Sequence, residues 1–303
     1  MNFFKKTHLK FVDAFKYAII ISSTLILITI VSLVIKGGLN YGIDFSGGAL
    51  VQVKFANKIQ VERLRSALAQ NGITGAEIQE FSDTNEFIIR LKKNVSEIQL
   101  TGQQFKDVFV KEFAGNEFVV ERNEYVGPSI GERLKGKAIK AIAGAFLGIV
   151  VYVAIRFRKG IWGFAGVLAL MHDVFITIGL FSILNKEINL TIVAALLTLA
   201  GYSINDTIVV YDRIRDNMKL YFKKPLKEIF DMSINDTLSR TIMTSLCTEL
   251  VLIAIYFLGG TVIHDFALTL LFGIIIGTYS SVFIASPIVY MQLTRKTATS
   301  AKK

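Results

Sequence analysis

One cysteine, Cys247, stands in an apolar run, so the chain closes no disulfide on itself. Histidine is nearly as scarce. His8, His172 and His264 lie far apart, no HExxH spacing occurs, and with a single thiol their number excludes a metal site of the Cys/His type. Charge is thin as well: 19% of residues are charged, against about 25% in an ordinary soluble domain. No GxSxG, Ser-His-Asp or kinase signature is present, so hydrolase or kinase chemistry has no basis in the sequence. One segment, Gly131-Glu132-Arg133-Leu134-Lys135-Gly136-Lys137-Ala138, imitates the phosphate loop GxxxxGK[ST]. Ala138 stands where the magnesium-binding hydroxyl belongs, and an apolar run follows in place of a soluble helix, so nucleotide binding is rejected. No cofactor and no metal are expected.

What the chain has instead is long apolar stretches. Of its 303 residues 52% are hydrophobic and the mean hydropathy is +0.50, but the excess is uneven: uncharged runs alternate with ordinary polar sequence. Six runs reach the roughly 20 residues a bilayer demands. They cover residues 17–35, 137–155, 161–184, 190–211, 241–258 and 267–291. The expected division is a cytoplasmic N-terminus (1–16), a first transmembrane helix (17–35), an exported domain (36–136), a five-helix transmembrane bundle (137–292) and a cytoplasmic tail (293–303). The first run is too long for the apolar core of a cleaved signal peptide and lacks a small-x-small site, so it reads as an uncleaved anchor.

Orientation follows from the basic residues in the short connections. Lys5, Lys6, Lys10 and Lys16 precede the first span, and Arg156, Arg158 and Lys159 separate the second from the third. Arg213, Arg215, Lys219, Lys223, Lys224, Lys227 and Arg240 follow the fourth, and Arg295, Lys296, Lys302 and Lys303 end the chain. The opposite short loops hold only Lys186. Both termini therefore read as cytoplasmic, and the net charge of +10 reflects topology and a lipid bilayer, not a nucleic-acid partner.

The polar hundred residues read as α+β. Residues 49–55 alternate and are β-branched; 61–70 put Val61, Leu64 and Leu68 on one helical face before Asn71-Gly72. Residues 76–81 and 86–91 form a hairpin across 82–85, a second helix fits 97–113, and a last strand fits 117–125. The order β-α-β-β-α-β implies a ferredoxin-like domain on a polytopic α-helical membrane protein.

Ionisable groups inside spans are costly and are the first candidates for function. They are Asp173, Asp206, Arg240 and Glu249. Asp206 and Arg240 fall at similar depth on consecutive spans, so a salt bridge is geometrically open to them. Burial favours the neutral acid and a guanidinium favours the carboxylate, so such a pair suits proton uptake and release. It equally suits a static ion pair gluing helices, and the residues alone leave both readings open. Asp173 reads first as an acid hydrogen-bonded to a neighbouring helix, and second as another carboxyl of a proton relay. Glu249, nine residues after Arg240, points to the opposite side of its helix and cannot easily share the Asp206 site. Asp265, at the outer mouth before the sixth span, reads first as a helix-capping aspartate and second as part of an entry or exit funnel. Gly144-xxx-Gly148 and Gly273-xxx-Gly277 allow close helix approach.

Several ordered blocks resemble the SecD/SecF family of protein-export membrane proteins, within the resistance-nodulation-division class. Gly42-Ile43-Asp44-Phe45-Ser46-Gly47-Gly48 is similar to that family's G-I-D-F-[ST]-G-G element. Gly201-Tyr202-Ser203-Ile204-Asn205-Asp206-Thr207, continuing to Asp212-Arg213, resembles the SecF branch; the SecD branch has a V-D-A-N-V core instead. Leu238-Ser239-Arg240-Thr241 and Asp265-Phe266-Ala267 complete the series. The resemblance implies pairing with SecD into twelve spans, docking beside SecYEG with YajC, and contact with a translocating preprotein. It also implies proton-pathway roles for Asp206 and Arg240 in late, proton-driven steps of translocation. A small-molecule exporter half and a passive scaffold are the alternatives. Two departures stand out: Glu249 lies where the family is usually apolar, and Ser233-Ile234-Asn235-Asp236-Thr237 repeats the sequence of 203–207. The repeat reads as coincidence, with Asp236 placed at i,i+4 to compete for Arg240.

Overall fold

The computed structural model describes residues 7–81, 85–91, 102–157 and 160–300. The chain divides into two units, Tyr41–Lys140 and a second built from Met1–Asn40 with Ala141–Lys303.

In the first unit a short helix α2 (Ile43–Ser46) leads into β1 (Gly48–Phe55), α3 (Val61–Gln70), β2 (Glu77–Phe81), β3 (Glu86–Leu91), α4 (Gly102–Glu112) and β4 (Phe118–Val126). The strands make one antiparallel sheet in the order β2-β3-β1-β4, the arrangement of a split β-α-β. Alternation drives one face of β1 and β3 inward, where Val51, Val53, Phe55, Phe87 and Ile89 meet Leu64 and Leu68 of α3 and Phe105 and Phe109 of α4. The expected strands and first helix are all present. Of the turn expected at 82–85 only Asn85, at φ 53°, is among the described residues, and the beginning of the second helix, 97–101, lies outside them.

The family-like Gly-Ile-Asp-Phe element forms a tight turn within this unit. Gly42 precedes α2, Asp44 lies in it, and Gly47 ends it at φ 72°. A Cβ on Gly47 would stand 3.0 Å from Pro128 Cα, and one on Gly131 would stand 3.0 Å from Gly47 N. These glycines let the segment entering the domain pass directly against the segment leaving it. Gly48, also at positive φ (130°), starts β1. Gly131 itself sits in a continuous helix, so the phosphate-loop imitation is helical and forms no loop.

The second unit is helical. Six helices are long and apolar enough to cross a membrane: α1 (Phe11–Ile35), α5 (Pro128–Phe157), α6 (Gly160–Ile183), α7 (Leu190–Leu220), α8 (Leu226–Leu258), and a sixth in which α9 (Gly260–Ser280) continues through a π-helical turn (Ser281–Ala285) into α10 (Ser286–Ser300). The helices outrun the apolar windows: α7 extends nine residues past its expected end at 211, and α8 begins fifteen before 241. Asp265 lies inside α9, five residues past its start, so it does not cap the helix; its Oδ1 instead accepts from Lys186 Nζ at 2.6 Å.

The centre of this unit is α6, α7 and α9. Glycines set their spacing. A Cβ on Gly273 would come within 2.5 Å of Leu199, and one on Gly277 within 3.0 Å of Ser203, so α9 rests directly on α7. A Cβ on Gly144 or Gly148 of α5 would meet nothing within 4 Å among the described residues.

Candidate functional site

Asp206 is buried at 1% exposure on α7. Arg240 of α8 donates from Nη1 to Asp206 Oδ1 at 2.6 Å. The structure thus brings together the two residues whose depth on successive spans matched. The pair is asymmetric: the Arg240 side chain is 41% exposed, and that of Asp206 only 2%. Asp206 Oδ2 is buried with no hydrogen-bond partner among the described residues. A carboxylate has acceptor sites on both oxygens. One oxygen of this acid is therefore charge-assisted, and the other is open to a proton.

A second buried acid sits nearby in the same helix layer. Asp173 of α6, fully buried, accepts from Ser203 Oγ of α7 at 2.5 Å and Ser280 Oγ of α9 at 2.7 Å, both on Oδ2. His172 Nδ1 lies 2.9 Å from its Oδ1, and His172 Nε2 is buried without a partner among the described residues. Ser203 is one turn before Asp206 on α7. Thr207, the next residue after Asp206, shares a 3.0 Å hydrogen bond with Ser281 Oγ. Ser281 opens the π-helical turn, and Ser286 Oγ closes it by donating to Ser281 O. Such turns often mark functional positions inside helices. Asp173 is accordingly hydrogen-bonded to neighbouring helices, as its first reading expected. The hydroxyls that hold it were missed by sequence reasoning. The available signal was Ser280-Ser281 and Ser286 within an otherwise apolar run.

The remaining candidates separate. Asp212 accepts from Arg156 Nη2 of α5 at 2.5 Å. Arg213 binds Asp236 through Nη2 at 2.6 Å and Nε at 2.8 Å. Asp236 therefore does not compete for Arg240 in this structure, as its i,i+4 position suggested; the helix pairing gives it Arg213 from α7 instead. Gly201 and Asn205 lie on an exposed face of α7, with open space around Gly201. Glu249 makes no contact with the Asp206 pair, and its Oε1 is enclosed without a partner among the described residues.

Comparison with known proteins places this architecture. Residues 106–295 match the family model described as protein export membrane protein SecD/SecF, C-terminal, and residues 31–59 match the SecD/SecF GG motif. A protein translocase subunit SecF from Magnetococcus marinus is 47% identical over 95% of this chain and 93% of its own length. The SecF of Calditerrivibrio nitroreducens is 44% identical over 94% of each. The chain belongs to the SecF family. Among solved structures it is similar to SecDF of Thermus thermophilus, described as a translocon-associated membrane protein, with a TM-score of 0.85 at 38% identity over 95% of this chain. A SecDF structure in a super-membrane-facing form gives 0.71 at the same identity. The chain spans about two fifths of those SecDF chains (39% and 41%). The glycine turn at 42–48 lies within the GG-motif match, and the Asp206–Arg240 pair within the C-terminal one.

Proposed function

We propose that this chain is the SecF subunit of a proton-driven accessory complex of the Sec translocase, and that Asp206 carries the proton. The observation that carries this reading is the divided carboxylate of Asp206, with one oxygen on Arg240 at 2.6 Å and the other buried and unpartnered. Holding an acid inside a spanning helix is costly unless a partner or a function keeps it there. A guanidinium that is partly exposed at one side and paired with a buried acid at the other gives the acid two close states. In one, the carboxylate and Arg240 form an ion pair. In the other, a proton on Asp206 neutralises the acid and releases Arg240 from the ion pair. Asp173, bridged to α7 and α9 by Ser203 and Ser280, serves as a second carboxyl on the same route.

Support for a membrane partner comes from α7. Ala194, Thr198, Gly201 and Asn205 recur along an exposed face of a spanning helix, and small and mildly polar residues favour close helix contact in lipid. SecD is the partner that the relatives and the SecDF structures suggest, with SecYEG, YajC and the preprotein as further contacts. The bias of Lys and Arg toward one side of the short connections supports a topology with both termini in the cytoplasm and residues 36–136 in the periplasm, across the inner membrane. Protonation at Asp206 then shifts the helices that lead into the periplasmic domain, which draws the preprotein outward.

The test is preprotein release from inverted membrane vesicles under a proton motive force, comparing wild type with Asp206→Asn at equal membrane level and equal SecD association. Loss of the force-dependent step supports the proposal. An unchanged rate leaves Asp206 and Arg240 as a static pair in a scaffold subunit.

A further inference from the structure

We infer that Arg240 has a second acceptor, Asp236 of its own helix, and that neutralising Asp206 transfers the guanidinium from Asp206 to Asp236 Oδ1. The inference rests on the reading of Asp206 as the group that gains and loses the proton.

Four observations carry it. First, α7 and α8 exchange charges reciprocally: Asp206 of α7 holds Arg240 of α8, and Asp236 of α8 holds Arg213 of α7. The repeated Ser-Ile-Asn-Asp-Thr segments at 203–207 and 233–237 thus each place an aspartate in an ion pair between the same two helices. Second, Asp236 precedes Arg240 by four residues, the spacing and order in which an acid and a base on one helix attract. Third, Asp236 has a free acceptor. Arg213 Nε and Nη2 and Asn217 Nδ2 (3.3 Å) all reach Oδ2, and no donor among the described residues reaches Oδ1. A carboxylate accepts at both oxygens, so Asp236 takes a second guanidinium without releasing the first. Fourth, there is room. Asp236 and Ser239 line a cavity of about 510 Å³, and Arg240, next in sequence to Ser239, is bonded to Asp206 through Nη1 and is 41% exposed.

The surroundings fix which charges compete. Arg240 is the charged group bonded to Asp206; Asp173 of α6 is committed to Ser203 and Ser280 on one oxygen and to His172 on the other, and α9 brings hydroxyls. Around Asp236 stand Arg213 from α7, with Lys224, Glu228 and Asp231, and His8 and Lys10 of the segment before α1, lining the same cavity. With Asp206 ionised, the buried pair is the stronger of the two, because a charge-assisted bond gains from the low-dielectric interior. With Asp206 neutral, Arg240 would keep its charge opposite an uncharged acid, and the carboxylate one turn away becomes the better partner. An exposed i,i+4 pair is weak. Weakness suits the role, since Arg240 returns as soon as Asp206 gives up its proton. Asp236 is in this account a positioning residue: it touches no proton and sets where Arg240 waits.

The test is an electron-microscopy structure of the full complex with its SecD partner in lipid, carrying Asp206→Asn to fix residue 206 in the neutral state. The expected result is the Arg240 guanidinium in hydrogen-bond contact with Asp236 Oδ1, Arg213 remaining on Oδ2. Arg240 still on residue 206, or turned to lipid or solvent away from Asp236, overturns the inference. Asp236→Asn alone supplies the functional arm. It should lower force-dependent preprotein release several-fold with ATP-driven translocation and SecD association unchanged, and Asp236→Glu should restore most of the loss. Wild-type release by Asp236→Asn also overturns the inference. The two readings fail separately. Wild-type release by Asp206→Asn removes the proton role of Asp206, whereas the place of Arg240 in the Asp206→Asn structure decides the exchange by itself.

Discussion

The two units of this chain solve the problem of an interior in opposite ways. In the α+β domain the inside is apolar: Phe55, Phe87, Phe105, Phe109, Leu64 and Leu68 are almost fully enclosed, and Gln52 and Glu86 are the buried polar side chains among its described residues. In the helical unit the inside is where polarity gathers. Asp173, Asp206, Ser203, Thr207, Ser280, Ser281 and Ser286 are buried, while Ile20, Val34, Leu147, Leu250, Phe257 and Leu258 face outward. Water drives the first arrangement through the hydrophobic effect. Lipid removes that drive for the second, because lipid tails are as apolar as leucine, so close packing and interior hydrogen bonds hold the helices. The domain's buried acid, Glu86, accepts a hydrogen bond from Gln52 Nε2 at the sheet. In the bundle a buried acid with an open oxygen is the feature a function can use.

That contrast is open to attack by substitution. The largest effect is expected in the apolar core. Phe109→Ala removes a ring enclosed by Phe55, Phe105 and Phe118 and should destabilise the domain by about 3–5 kcal/mol, read as a lower denaturant midpoint for its unfolding. A loss near zero would mean that the packed aromatic cluster is not what holds this domain. The polar interior comes next. Arg240→Ala leaves Asp206 buried and unpaired, and should cost about 2–3 kcal/mol, below the range for a fully buried pair because Arg240 is 41% exposed. Asp206→Asn combined with Arg240→Ala should recover much of that loss in thermal unfolding in detergent; if the losses simply add, the two residues are not coupled. The smallest effect separates two glycine pairs. Gly273→Ala meets Leu199 at once and should cost about 1–2 kcal/mol in the chain alone. Gly148→Ala meets nothing among the described residues and should leave the chain alone unchanged, altering only association with a membrane partner, measured by co-purification.

The same contrast explains what the sequence disclosed. The domain was legible because alternation in β1 and β3 and the 61–70 face report an ordinary water-driven core; its strands fall within a residue or so of expectation. The spans were legible as apolar windows, but their helix ends were not. Once α7 leaves the lipid it continues on packing by Tyr211, Ile214 and Asn217, which no hydropathy window detects. The site was half legible. An acid and a base at matched depth announced Asp206 and Arg240. The hydroxyl cradle of Asp173 joins positions 30 and 107 residues away, and serines give no periodic signal inside a helix. The π-helical turn depends on the backbone register between Ser281 and Ser286, and α9 reads as one uninterrupted span until it is seen. Asp236 was found from its spacing, but its partner Arg213 came only from the helix pairing.

The central claim is that Asp206 gains and loses a proton while the complex works. The most direct measurement is the pH-induced infrared difference spectrum of the complex in lipid, with the carboxyl C=O stretch as the reporter. The account predicts a protonated-carboxyl band that titrates in wild type and disappears in Asp206→Asn with the fold and SecD association intact. A band that is unchanged in Asp206→Asn would contradict it and assign the buried pair to holding α7 and α8 together.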